Sequence, residues 1–250
     1  MSLIIIIYVH VYLQWQADST GWHKDDVHEF LLKHGSKVIP SFEDTDASCP
    51  NPIRILVPLC GKTVDMAFLA SHKSVSEVLG VDGVRKALDS FAKIHSGQEI
   101  TQVDDQGDDC ERLAGKSIML LKGDFFELDD NKTGGKFDAV WDRGSIVAID
   151  PSLRESYVAT MSRLVKPGGA LLITTVERRT GTEEGMQTGP PFSIPELEIR
   201  RLYEGQDWVE SVMLLEESDE FEKNPDDKPR FVNQGVTSLY ELAFLVKAKL

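Results

Sequence analysis

Two residues of this chain stand at a spacing that can hold a nucleoside: Gly61, in the turn Val57-Pro58-Leu59-Cys60-Gly61-Lys62-Thr63, and Asp82, twenty-one positions later. A glycine lets backbone approach a ligand closely, and a carboxylate one strand further on accepts from both ribose hydroxyls of an adenosine group. The plainer alternative is a turn glycine and a solvated aspartate. The triplet Gly61-Lys62-Thr63 looks like the end of a phosphate loop, but that loop needs glycine five positions before Gly61, where Leu56 stands. A nicotinamide dinucleotide needs G-x-G-x-x-G, and Pro58 and Cys60 occupy places where glycines would admit a pyrophosphate. A nicotinamide-dependent oxidoreductase is therefore the weaker reading. A donor with adenosine and no pyrophosphate fits the turn better.

S-adenosylmethionine is such a donor, and further residues suit it. In Gly123-Asp124-Phe125-Phe126, Asp124 can accept from an adenine amino group while Phe125 or Phe126 packs on the ring. The competing interpretation is a capping aspartate with core phenylalanines. Phe137-Asp138-Ala139-Val140-Trp141-Asp142-Arg143-Gly144 ends in a charged pair at a rim position suited to a methyl acceptor. Asp142 either acts there or only orients Arg143 and satisfies backbone donors. Cys60 has no obvious histidine partner, so packing is its expected role. No metal site is expected.

The elements that must position these residues follow from periodicity. Apolar runs at Ile53–Val57, Val75–Val81, Ser117–Leu121, Phe137–Trp141 and Leu171–Val176 alternate with helical patterns at Asp65–Leu69, Val84–Ile94 and Pro151–Val165. That alternation predicts a parallel sheet covered on both faces. Trp208–Leu215 and Leu239–Val246 have no crossover helix between them, which predicts an antiparallel pair at a sheet edge. The expected fold is α/β: a Rossmann-like, mostly parallel seven-stranded sheet of the class I methyltransferase type, with an antiparallel C-terminal strand pair and helices on both faces. Ligands of such sheets bind outside the carboxyl ends of the strands, where Gly61, Asp82, Gly123 and Arg143 fall. Residues 1–250 form one expected domain, with 1–50 an N-terminal extension or lid; a helix over Lys24–His34 is expected to lie across the crevice.

Composition narrows the partners. The 250 residues carry 27 basic and 41 acidic side chains, a formal charge of −14, which disfavours a nucleic-acid backbone. Asp104–Glu111 and Glu216–Asp227 hold twelve of the acids and read as solvated loops without calcium-loop spacing. Cys49, Cys60 and Cys110 are too dispersed for a disulfide framework or zinc ribbon, so a reduced, cytoplasmic setting is expected. Leu3–Val9 is apolar but falls short of the roughly 20 residues a membrane span needs, and it lacks the basic start of a signal peptide. A monomer acting on a small molecule is the expectation.

Taken together, Pro58-Leu59-Cys60-Gly61-Lys62, Trp141-Asp142-Arg143-Gly144 and Gly189-Pro190-Pro191-Phe192 make the chain resemble the thiopurine S-methyltransferase family from about Trp15 to Leu250. Thr20-Gly21-Trp22-His23 and Arg230-Phe231 fit the same pattern, and the Leu164-Val165-Lys166-Pro167-Gly168-Gly169 turn resembles the one before the fifth strand of many class I methyltransferases. The resemblance implies S-adenosylmethionine as donor and S-adenosylhomocysteine as product. By the same match Leu59 and Gly61 line the methionine part of the donor, Asp82 meets the ribose, and Gly123, Asp124 and Phe125 meet the adenine. Trp15 closes over the donor, and Arg143 faces donor and acceptor. Trp22, Pro190, Pro191 and Arg230 form the acceptor wall. Departures are aspartate at 82, where the family often has glutamate, and tryptophan at 22, where mammalian members have phenylalanine. The implied reaction is in-line methyl transfer to a thiopurine or another aromatic or heterocyclic thiol. The alternatives are other sulfur, selenium or tellurium acceptors, and a donor-binding module without catalysis.

Overall fold

Strands buried on both faces read as short apolar runs with breakers at their ends, and the computed structural model contains such strands at the expected places. It describes residues 12–17, 20, 23–43, 51–97, 100–104, 117–180, 189–226, 228–233 and 235–250. In chain order the elements are α1 (residues 12–16), α2 (Glu29–His34), β1 (Ile53–Val57), α3 (Asp65–Ala70), β2 (Val75–Asp82), α4 (Arg85–Ile94), β3 (Ile100–Asp104) and β4 (Ser117–Lys122). There follow β5 (Phe137–Arg143), α5 (Ser145–Ala148), α6 (Arg154–Leu164), β6 (Val165–Thr180), α7 (Glu196–Tyr203), β7 (Val209–Asp219), α8 (Glu220–Lys223), α9 (Lys228–Val232) and β8 (Val236–Ala248).

The strands form one sheet in the order β3-β4-β2-β1-β5-β6-β8-β7. β1 pairs in parallel with β2 and with β5, so the chain builds outward first on one side and then on the other. The strand order therefore reverses between β1 and β5, the switch point at which sheets of this kind bind ligands. β8 runs antiparallel between β6 and β7. Apolar side chains cover both faces: Tyr157, Met161 and Ile199 lie in one cluster, and Phe30, Leu31, Met66 and Phe91 in the other. Gly169 is required at the start of β6, because a Cβ there would meet Asp138 O and Lys166 O at 3.0 Å. Among the described residues no helix is long and apolar enough to cross a membrane.

Three expectations need correction. The sheet has eight strands, because Ile100–Asp104 pairs in parallel with β4 along Ile118 to Lys122. Polar and edge-placed, β3 needs only one neighbour and no apolar run. The acidic stretch Glu216–Asp227 is not a loop at its start: β7 continues to Asp219 and α8 follows. Its charge is met by neighbours, Glu216 taking Lys33 at 2.6 Å and His34 at 2.9 Å. Finally, α2 is shorter than Lys24–His34 and lies on a sheet face, with Phe30 and Leu31 fully buried in the cluster of Ile55, Trp141 and Leu172. The residues that reach the crevice precede it.

Candidate active site

The turn after β1 is bent by two left-handed residues, Leu59 at φ 42° and Gly61 at φ 55°. Leu59 pays a steric cost there that glycine would not. Cys60 N–H donates to Val81 O at 2.9 Å, which draws the turn against the end of β2. Gly61 N–H then donates to Asp82 Oδ2 at 2.9 Å, and Val84 N–H to Oδ1 at 2.8 Å. Gly61 and Asp82 are therefore joined directly. Each carboxylate oxygen has two lone pairs, so each keeps one acceptor position beyond these bonds. Burial pushes the Asp82 carboxyl up to about 6, against the opposing pull of the Val84 and Gly61 donors.

Cys60 beside it is buried, and burial, reinforced by Asp82, pushes its thiol up, so it stays protonated. A Cβ at Gly80 would lie 2.5 Å from Met66 Sδ and 2.9 Å from Cys60 Sγ, which makes Cys60 part of close packing. The end of β4 joins the same corner through Gly123 N–H to Asp82 O at 3.2 Å. There the exposed Asp124 accepts from Phe126 N–H, whereas Phe125 is buried and stacks on Tyr157 at 4.7 Å.

Trp15 and His23 close the corner from above. Trp15 is buried against Val84 and Ala87, and its ring lies 5.1 Å from that of His23. A Cβ on Gly61 would come within 2.3 Å of His23 Cε1 and 3.4 Å of Trp15 Cζ2, so only glycine admits this contact. Burial first, then Arg143, then Lys62 lower the His23 pKa to about 3. His23 is thus neutral and close enough to feel both cations. In the sequence His23 is marked only as the last residue of Thr20-Gly21-Trp22-His23, with no spacing of its own to single it out.

At the end of β5 the charged pair divides. Asp142 is fully buried and turns inward: Oδ1 accepts from Ser145 N–H at 2.8 Å and Ile146 N–H at 3.3 Å, and Oδ2 accepts from Tyr157 OH at 2.8 Å. Burial raises its carboxyl to about 6, opposed by the Tyr157, Ser145 and Ile146 donors. Arg143 stays at the rim, with Nε 3.9 Å from Asp65 Oδ2, an ion pair too long for a direct hydrogen bond. Ser145 Oγ donates to Pro58 O at 2.6 Å, tying this corner to the β1 turn. Asp65 escaped the sequence reading because an acid in the first turn of a helix ordinarily reads as a surface residue.

Pro190 and Pro191 are brought to the same end. Phe192 N–H donates to Val147 O at 2.7 Å, on the short helix that follows Arg143. Ser193 Oγ accepts from Arg178 N–H at 3.0 Å, which holds this segment along β6. Trp22 lies outside the described residues; Arg230 falls on α9, with its side chain likewise outside them.

A mostly parallel sheet with an antiparallel C-terminal pair, an acid ending β2 and a single-glycine turn define a class I, S-adenosylmethionine-dependent methyltransferase. Within that class, the chain belongs to the thiopurine S-methyltransferase (TPMT) family, whose model matches residues 12–245. It is 32% identical over 234 residues to the thiopurine S-methyltransferase of Pseudomonas fluorescens, covering 94% of this chain and 95% of the relative. Identity to the Vibrio atlanticus thiopurine S-methyltransferase is 29% over 237 residues, with the same coverage. Among solved structures, a methyltransferase from Methanosarcina mazei superposes with TM-score 0.53 at 16% identity, over 81% of this chain and 95% of that one. The Burkholderia thailandensis 1,6-didemethyltoxoflavin-N1-methyltransferase superposes with TM-score 0.51 at 15% identity, over 99% and 88% respectively. At these identities the structures speak for the fold.

Proposed function

We propose that this methyltransferase acts on an aromatic or heterocyclic thiol, thiopurines included, and takes it as the thiolate. The observation that carries the reading is the local field. Although the chain has a net charge of −14, Arg143 and Lys62 add to burial in keeping His23 neutral down to about pH 3. Burial, the larger cause, disfavours either charge there, whereas the part of the shift that comes from Arg143 and Lys62 is a cationic field, and that field favours an anion. Aryl thiols and thiopurines ionise near neutral pH, so no strong general base is required, and Arg143 stabilises the thiolate by charge pairing.

The residues present fit the donor. Asp82, with one acceptor position left on each oxygen, would hold the ribose, and the backbone of Leu59 and Gly61 the methionine part. Gly123 and Asp124 would meet the adenine, with Phe125 backing that contact from the core. When bound, S-adenosylmethionine supplies an electrophilic methyl group on a sulfonium centre. The chain's own contribution is orientation and exclusion of water. Trp15 and His23 would cap the donor from the N-terminal side, and by the family resemblance Trp22, Pro190, Pro191 and Arg230 would meet the acceptor. Asp142 acts as a positioning residue, holding the turn from which Arg143 projects.

A methyl-transfer assay across aryl thiols, thiopurines, and selenium and tellurium oxyanions tests the reading. Methylated thiols are expected, at a rate that rises with pH through the acceptor's ionisation. Transfer to the oxyanions alone would replace the thiol assignment. Binding of S-adenosylhomocysteine without transfer to any acceptor would leave a donor-binding module and overturn it.

A further inference from the structure

We infer that Asp65 is the positioning residue that aims Arg143, and that it couples the N-terminal segment to that arginine; the inference rests on the thiolate reading above. Arg143 carries a long, flexible side chain, and a guanidinium stabilises an anion only if it is held in the right direction. Asp65, at the start of α3, is fully buried beneath it. A buried carboxylate must be both hydrogen-bonded and charge-compensated. Asp65 meets the first need with two neutral donors: Oδ1 accepts from His28 N–H at 2.9 Å, and Oδ2 accepts from Trp141 Nε1–H at 2.9 Å. It meets the second with Arg143, which faces the same Oδ2 at 3.9 Å. The carboxylate is thus fixed by groups that cannot neutralise it, and its charge is directed at the rim.

The donors that fix it are themselves held. His28 Nδ1 accepts from Phe30 N–H at 3.2 Å, so Nε2 carries the proton and donates to Glu241 on β8 at 2.9 Å. The His28 ring also meets the edge of Trp141 at 5.5 Å. The segment leading into α2 therefore reaches the arginine pair twice. His23 lies in the field of Arg143, and His28, five residues on, clamps Asp65. Seating of this segment over the crevice and aiming of Arg143 are then one event.

The experiment is a double-mutant cycle on the full chain, with Asp65→Asn, Arg143→Ala and both together, read as kcat and KM for an aryl thiol. Asp65→Asn preserves shape and removes the charge. It is expected to lower kcat by roughly 10- to 100-fold while S-adenosylhomocysteine affinity, measured by calorimetry, stays within about twofold. In the Arg143→Ala background the same change should cost no more than about twofold, because the residue it acts through is gone. Losses that multiply independently would overturn the inference. If Asp65→Asn does not fold, Trp141→Phe removes one of the two bonds that orient Asp65. A loss of roughly fivefold, again absent without Arg143, supports the inference; no loss overturns it. Should the wild type methylate no thiol, the thiolate reading has failed and the cycle is read instead on the 15N-resolved Nε–H resonance of Arg143. A shifted, faster-exchanging resonance in Asp65→Asn supports the pairing, and an unchanged one overturns it.

Discussion

The ends of β2 and β5 each present a buried aspartate, and the two look alike by every local measure. Burial raises both carboxyls to about 6, and both accept from two backbone N–H groups. They differ in what remains. Asp142 takes a third bond from Tyr157 and is wholly buried, whereas the Asp82 carboxylate takes two bonds and keeps 8% exposure beside Gly61. A perturbed carboxyl marks burial. Whether it marks binding depends on which acceptor positions are left and where they point.

Substitutions can break or sharpen that contrast. The largest effect is expected beside it, at the rim: Arg143→Ala should lower kcat on an aryl thiol by about 100-fold or more, with donor affinity little changed. Equal losses in kcat and donor affinity, measured by steady-state kinetics and calorimetry, would assign the arginine to the donor instead. Asp82→Ala removes two hydrogen bonds to a charged acceptor, worth about 3 kcal/mol together, and should weaken S-adenosylhomocysteine roughly 100-fold. Asp142→Ala should do the opposite. Urea unfolding is expected to show a loss of about 3 kcal/mol, since Tyr157 OH and two N–H groups are left buried, while donor affinity stays within about threefold. A large affinity loss there would erase the distinction between the two strand ends.

The pH dependence gives the smallest and most specific effect. Because the Asp82 carboxyl is raised to about 6, it protonates in the folded protein below that pH, and on the proposed reading it would then no longer accept from both ribose hydroxyls. Donor affinity measured by calorimetry should fall about tenfold per unit below pH 6 in the wild type, and stay flat in Asp82→Asn. Stability runs in two directions. The raised carboxyls of Asp82 and Asp142 contribute stability below their unfolded value of 3.8 that is lost as pH rises through about 6. His23, lowered from 6.5 to about 3, contributes stability above 6.5 that is lost as pH falls toward 3. His23→Gln should therefore flatten the acid limb of the urea midpoint without moving the neutral one.

Sequence periodicity located β1, β2, β4, β5 and β8 because their burial imposes apolar runs, and β7, although at the edge and only partly buried, because Val209, Val212, Met213, Leu214 and Leu215 still mark it. It missed β3, whose edge position removes that demand, and it read the start of Glu216–Asp227 as loop because acids paired by Lys33 and His34 carry no local sign of their partners. The Gly61–Asp82 relation was legible because two consecutive strand ends and a tight turn fix it in the chain. Asp65 and His23 were not, because their importance comes from what folds against them: Arg143 arrives from a strand 78 residues beyond Asp65. The inward turn of Phe125 was likewise settled by Tyr157, which lies on a later helix.

The bond from Ser145 Oγ to Pro58 O has a consequence for traffic through the molecule. It staples β1 to the β5 corner at the switch point, where the two halves of the sheet would have to part if the crevice opened like a jaw. With that seam fastened, the two walls of the crevice are held together at its base. On the proposed reading, admission of small molecules would then depend on the contacts of Trp15 and His23 over Gly61 rather than on a parting of the sheet.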